Sequence, residues 1–308
     1  MINYYKTINR KIIKQEECTS GCWVNCMAPS ERDISFLTAE FKIDPDFLRA
    51  ALDEEETSRI DSENGVILMV IDSPVVEKSE KNLIYYTMPL SIFITEKNII
   101  TISLKNNEMD GALKGEFARS TDTANKTNFI LNMILFLAGK YLKHLGQLTR
   151  VSDRAERTLR KSMKNKELIQ LLEIKKSLVY FSSSLKNIKI TVEKIARGRF
   201  VKFCEEDRDL LDDAIIEINQ AIEMTDTHLS ITDSTMEAFA SIISNNLNIL
   251  MKVLASLTLI ISIPTVVSGI YGMNTPNFPM MKYWWFPLAL SLALMYVAYR
   301  ILKYKDMI

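Results

Sequence analysis

The stretch Asn248–Asn274 reads NILMKVLASLTLIISIPTVVSGIYGMN, and Lys252 is its one charged residue. As a helix, Ile249–Ile270 is long enough to cross the hydrocarbon of a bilayer. Taken in alternating steps of three and four, it carries a stripe of Asn248, Met251, Ala255, Thr258, Ser262, Thr265 and Gly269. Met251 apart, every member is small or polar, whereas most other positions are large and apolar, with Ser256 the main exception. Small residues with hydroxyls suit two uses: close helix contact in lipid, or the lining of a watery path. The periodicity continues upstream through Ser244, Ser241, Glu237, Ser234, Ser230, Thr227, Glu223 and Gln220. Beside it runs an apolar or small seam of Met236, Ala240, Ile243, Leu247, Leu250, Leu254, Leu257 and Ile261. One helix with a polar edge next to an apolar edge is what several copies around a wet axis require.

Downstream, Tyr283–Tyr299 is a second uncharged apolar run. Trp284 and Trp285 stand at one end and Tyr296, Tyr299 and Tyr304 at the other, as an aromatic belt does. Lys252 precedes the first span, and Arg300, Lys303 and Lys305 follow the second. This basic bias predicts that both chain ends face the cytoplasm. Charge divides the chain in the same way. Residues 1–237 hold 33 basic and 37 acidic residues, a net −4, and the remainder holds five basic and one acidic, a net +4. Two spans do not enclose a pore, so a cyclic homo-oligomer is expected.

Upstream, Phe200–Ile263 contains neither Gly nor Pro. As one helix it would run ~90–100 Å, and such a helix needs partners along its length. Residues 121–199 have helical apolar spacing at Ile130, Ile134, Leu137, Tyr141 and Leu145, and Arg197-Gly198-Arg199 supplies a turn. The lysines of Arg157–Leu185 read as a solvated face, so no nucleic-acid partner is expected. Residues 1–120 mix helix and strand signals. Apolar runs at Gly65–Ile71, Asn82–Tyr86, Leu90–Thr95 and Ile99–Ser103 read as strands. Ser30 and Asp44 or Asp46 are helix starts.

The expected organisation is an α+β cytosolic domain (1–120), a helical hairpin region (121–199), a long stalk helix (200–248), a pore-lining transmembrane helix (249–270), an external loop (271–282), a second transmembrane helix (283–301) and a basic cytosolic tail (302–308). Cys18, Cys22 and Cys26 recur every four residues, but a turn entering a strand does not bring that spacing onto one face. An enzyme or sensor on a membrane anchor would need an acid/base constellation in residues 1–120. That region holds no His and no glycine-rich nucleotide loop, so no enzyme activity and no organic cofactor are expected.

Tyr271-Gly272-Met273-Asn274, closing the first span with one further span and a basic tail behind it, resembles the signature of the CorA family of magnesium channels. Leu178–Leu185, Asn246–Lys252 and, more weakly, Trp23-Val24 followed by Pro29-Ser30 are similar to that family too. The resemblance implies a funnel-shaped homopentamer in the inner (plasma) membrane that passes hydrated divalent cations, Mg²⁺ first. Tyr271, Gly272, Met273 and Asn274 would form the selectivity ring, and Asn248 and Thr265 resemble pore-lining positions. Related zinc transporters vary the middle residue of the motif, and Met273 matches the magnesium branch. Family gating is thought to use Mg²⁺ between cytosolic domains. The acidic run Glu205, Glu206, Asp207, Asp209, Asp212 and Asp213 offers such ligands, with Asp207, Asp209, Asp212 and Asp213 as the regulatory candidates. A helix N-terminus favoured by the macrodipole explains the same run equally well. One departure is the outer loop Thr275–Tyr283, which has no acidic residue, whereas family members often carry one or more.

Overall fold

The structure, a computed structural model, describes the chain apart from residues 79–82, 106–111, 114, 116, 163–164, 199, 202, 274–279, 281–282 and 308. Two compact units result, Met1–Ser234 and Thr235–Ile308.

In the first unit, seven strands form one sheet: β1 (Ile2–Ile8), β2 (Lys11–Gln15), β3 (Trp23–Met27), β4 (Arg59–Glu63), β5 (Val66–Lys78), β6 (Leu83–Ile94) and β7 (Ile99–Ser103). Their spatial order is β2-β1-β3-β7-β6-β5-β4. The β3–β7 pair is parallel and the others are antiparallel. Side chains alternate across the sheet. Val24, Cys26, Ile100 and Ile102 point to one face, where they pack with Leu37, Ile43, Phe47 and Leu48 of α1 (Glu31–Phe41), α2 (Pro45–Ala51) and their connection. The alternate residues face α3 (Phe117–Ser120), α4 (Lys126–Ser162) and α5 (Asn165–Ala196). There Trp23, wholly buried, meets Tyr5, Phe117 and Phe129 at 5.2–6.0 Å between ring centroids. Its Nε1 donates to Thr101 Oγ1, which donates to Asn25 Oδ1, so these three buried polar atoms are paired inside the core.

Local chemistry sets the element ends. Ser30 accepts from the Asp33 amide while the Asp33 carboxylate accepts from the Ser30 amide, forming a capping box. Those bonds from Ser30 hold the Asp33 carboxyl below its usual range. Asp44 caps α2 by accepting from the Asp46 amide. The predicted apolar face at Ile130, Ile134, Leu137, Tyr141 and Leu145 is buried. Gly198 adopts φ 70°, a left-handed turn closing α5.

Two sequence-predicted strands, 82–86 and 90–95, are one strand, β6. Pro89 interrupts the pattern without breaking it, because pairing to β7 begins only at Leu90. Pro89 therefore has β5 alone beside it, and an edge tolerates proline. The sequence pattern also missed β1, β2 and β4, which are short or polar. Cys22 and Cys26 are buried at β3. The Cys22 thiol donates to the Tyr5 carbonyl at 3.1 Å, and burial pushes the Cys18 and Cys26 thiols up to about 11. The Cys18 and Cys26 thiols stay protonated at neutral pH, and a metal ligand would need the thiolate.

In α6 (Glu205–Tyr271) the glycine-free run becomes one helix that continues through Pro264. It is followed by α7 (Phe286–Tyr304). The second unit consists of the end of α6, the segment after it and α7.

Candidate permeation path

Within the second unit, α6 turns one face to α7. Ser256 and Val267 are buried there, with Ile260, Ile263 and Tyr271 half-buried. On α7 the buried positions are Ser291 and Leu302. The Ser256 hydroxyl donates to the Met307 carbonyl at 3.2 Å. At the other end, the Tyr271 and Phe286 rings lie 6.1 Å apart.

Asn248, Met251, Ala255, Thr258, Ser262, Thr265 and Gly269 are all exposed. At 3.6 residues per turn, this stripe lies roughly 160° around α6 from the face that packs on α7. The upstream members Gln220, Glu223, Thr227, Ser230, Ser234, Glu237, Ser241 and Ser244 are exposed as well. Small size is not required here by any contact within the chain: a Cβ added at Gly269 meets nothing within 4 Å. Ser256, the off-stripe exception in the sequence, is the hydroxyl used to hold the two helices together. Its position outside the polar periodicity was the available signal.

The stripe hydroxyls have a defined polarity. Thr258 Oγ1 donates to Leu254 O at 2.8 Å, and Ser262 Oγ donates to Thr258 O at 2.7 Å. With each proton returned to its own helix, the oxygens present lone pairs outward. Such an edge accepts hydrogen bonds from the waters of a hydrated cation.

At the end of α6, the Gly272 amide donates to Ser268 O at 2.9 Å and the Met273 amide to Ile270 O at 3.3 Å. A Cβ at Gly272 would lie 3.1 Å from the Ser268 carbonyl oxygen, tighter than an ordinary contact. Gly272 and Met273 are exposed, and Tyr271 packs against Phe286. Asn274 lies outside the described residues.

The four acidic candidates at the start of α6 differ among themselves. Asp207 is buried, and its Oδ2 accepts from both the amide and the thiol of Cys204 at 3.0 Å. It caps its own helix. Asp209, Asp212 and Asp213 are exposed. Among the described residues no group of three or more His, Cys, Asp or Glu side chains converges as a metal site within one chain.

Both α6 and α7 are long and apolar enough to cross a membrane. A family model described as CorA-like Mg²⁺ transporter protein matches residues 19–303. The chain belongs to the CorA family. It is thus a member of a membrane transport family, and not of an enzyme family. CorA relatives include the cobalt/magnesium transport protein CorA of Methanocaldococcus jannaschii, 25% identical over 84% of this chain and 81% of the relative. The magnesium transport protein CorA of Campylobacter jejuni is 22% identical over 97% and 94%. The complete CorA structure from M. jannaschii superposes with a TM-score of 0.81 at 23% identity, covering 99% of this chain and 96% of that one. That likeness extends the CorA fold over the α+β part, the long helix and both candidate spans.

Proposed function

We propose that the chain is one subunit of a homopentameric channel in the plasma membrane that admits Mg²⁺ to the cytoplasm, where both termini lie. The observation that carries this reading is the orientation of the stripe. The one edge of α6 rich in amide, hydroxyl and small side chains faces away from the chain's own second span. Copies arranged around an axis would turn these edges inward and bury the apolar seam of Leu250, Leu254, Leu257 and Ile261 between neighbours. The names and functions of the CorA relatives support magnesium or cobalt as the transported ion.

The chemistry suits a hydrated cation. Mg²⁺ gives up water reluctantly. A ring of Asn274 amide oxygens accepts hydrogen bonds from its shell without the tight grip of carboxylates, and weak binding is what conduction needs. A divalent ion gains ~4.6 kcal/mol per 100 mV of membrane potential, twice the single-charge value. With no acidic residue in Thr275–Tyr283, attraction at the mouth rests on amide and carbonyl oxygens.

Purified chain in liposomes, with Mg²⁺, Co²⁺, Ni²⁺ and Zn²⁺ compared by indicator fluorescence, tests the function. Potential-driven Mg²⁺ influx is expected; flux of Zn²⁺ alone, or of none, overturns it. Asn274→Ala should reduce Mg²⁺ uptake to background while assembly persists, and near-normal flux would remove the motif from its role.

Regulation is the finer part of this reading. Asp209, Asp212 and Asp213, free of capping, would bind internal Mg²⁺ with groups of a neighbouring subunit and hold the pore shut; Asp207 would position the helix start. Changing all four to Ala should weaken inhibition by internal Mg²⁺. Unaltered inhibition would leave only the macrodipole explanation for this acidic run.

A further inference from the structure

The polar stripe accounts for one edge of the two-helix unit, and its basic residues lie elsewhere. Lys252 precedes Ser256 by one helical turn, about 6 Å along the axis. The Ser256–Met307 bond at 3.2 Å brings the end of α7 to this level. That end closes in a helix cap: the Lys305 amide donates to Ile301 O and the Met307 amide to Leu302 O, with Asp306 left-handed at φ 50°. Lys252, Arg300, Lys303 and Lys305 therefore lie toward one end of the unit, on different sides of it.

All four are exposed. Among the described residues none of them makes an ion pair, and the single acidic neighbour is exposed Asp306. Lys303 Nζ lies 5.9 Å from the Tyr299 ring centre, and Tyr304 beside it is 90% exposed. Arg300, Lys303 and Tyr304 project from α7 on the side away from its buried Ser291 and Leu302. The surface so formed pairs unneutralised cations with amphipathic aromatic rings at the edge of an apolar belt. Long basic side chains in that position extend their heads toward the headgroup layer.

We propose that Lys252, Arg300, Lys303 and Lys305, spread around the end of the unit where Ser256 meets Met307, hold the phosphate headgroups of anionic phospholipids. The cations supply charge complementarity and donors to phosphate oxygens. The proposal rests on the two helices crossing a bilayer, and is independent of which ion passes.

The test uses the full chain in phosphatidylcholine vesicles containing a minor fraction of phosphatidylglycerol. The protein is extracted with its retained lipid and the two lipids are counted by mass spectrometry. Wild type should enrich phosphatidylglycerol over the bulk. The quadruple variant Lys252→Gln, Arg300→Gln, Lys303→Gln, Lys305→Gln should lose at least about fivefold of that enrichment, the factor one basic residue near an anionic surface supplies. Equal enrichment in variant and wild type overturns the proposal. So does displacement of the lipid by millimolar inorganic phosphate, which would mark a site for free phosphate instead. Flotation of the variant with its vesicles confirms insertion. If the quadruple variant does not insert, Lys303→Gln, Lys305→Gln and a salt titration of wild type decide, since enrichment by charge must fall as salt rises. Loss of lipid enrichment with Mg²⁺ flux retained, or the converse, tells the failure of one reading from that of the other.

Discussion

The two compact units solve the burial of apolar surface in opposite ways. Met1–Ser234 closes both faces of its sheet within one chain, with Trp23, Phe93, Phe129 and Phe181 wholly enclosed. Thr235–Ile308 leaves most of its large apolar side chains outside, with Leu250 67% and Leu288 64% exposed. Such a surface is untenable in water and normal in lipid or against further copies. Its hydroxyls obey the same contrast. In the first unit Ser184 donates to Thr87 across the core, while in the second Thr258 and Ser262 return their protons to their own helix and leave the oxygens open. The first unit thus buries its core within one chain, and the second leaves an apolar surface for lipid or further copies to cover.

The largest expected effect breaks that comparison if it fails. Trp23→Ala removes a ring packed on three others and the donor to Thr101. It should cost about 3–5 kcal/mol in unfolding followed by near-UV circular dichroism. Leu250→Ala, an equally apolar truncation in the exposed seam, should leave that transition within about 0.5 kcal/mol and instead lower the oligomer mass in native mass spectrometry. Comparable losses from both changes would mean that the two units are built alike.

A smaller effect sharpens the account of the sheet. Asp72 is buried between β5 and α5, and burial raises its pKa against the lowering effect of the Ser184 and Ser58 hydroxyls. The folded chain therefore holds this proton to higher pH than the unfolded chain. Its contribution to stability is greatest below the ordinary value of 3.8 and falls as pH rises through the raised one. Asp72→Asn should flatten this part of the slope, read from thermal midpoints of variant and wild type measured side by side. A steeper slope in the variant would reverse the sign argued here.

Much of this contrast was legible in the sequence. The period of the first span separates Thr258, Ser262 and Thr265 from Leu250, Leu254 and Leu257, and helix geometry converts that period directly into edges. Ser30 announced its capping box for the same reason: both partners lie within one turn. The strands were less legible where stability comes from distant neighbours. β2 (Lys11–Gln15) and β4 (Arg59–Glu63) are polar edge strands, and their partners, not their composition, keep them extended. Pro89 hid the continuity of β6 because its tolerance depends on where β7 begins to pair. At the site, sequence suggested four equivalent aspartates. Asp207 differs because Cys204 occupies its carboxylate, a contact set by the turn entering α6. Ser256 likewise appeared as an exception until Met307 was found against it.

A conducting α6 must turn its stripe to water. In liposomes, single replacements Thr258→Cys, Ser262→Cys and Thr265→Cys should each make Mg²⁺ flux sensitive to a membrane-impermeant thiol reagent. Val267→Cys, buried against α7, should remain insensitive, as should wild type with its own four cysteines. Sensitivity at Val267→Cys, with none at the three stripe positions, would contradict the account.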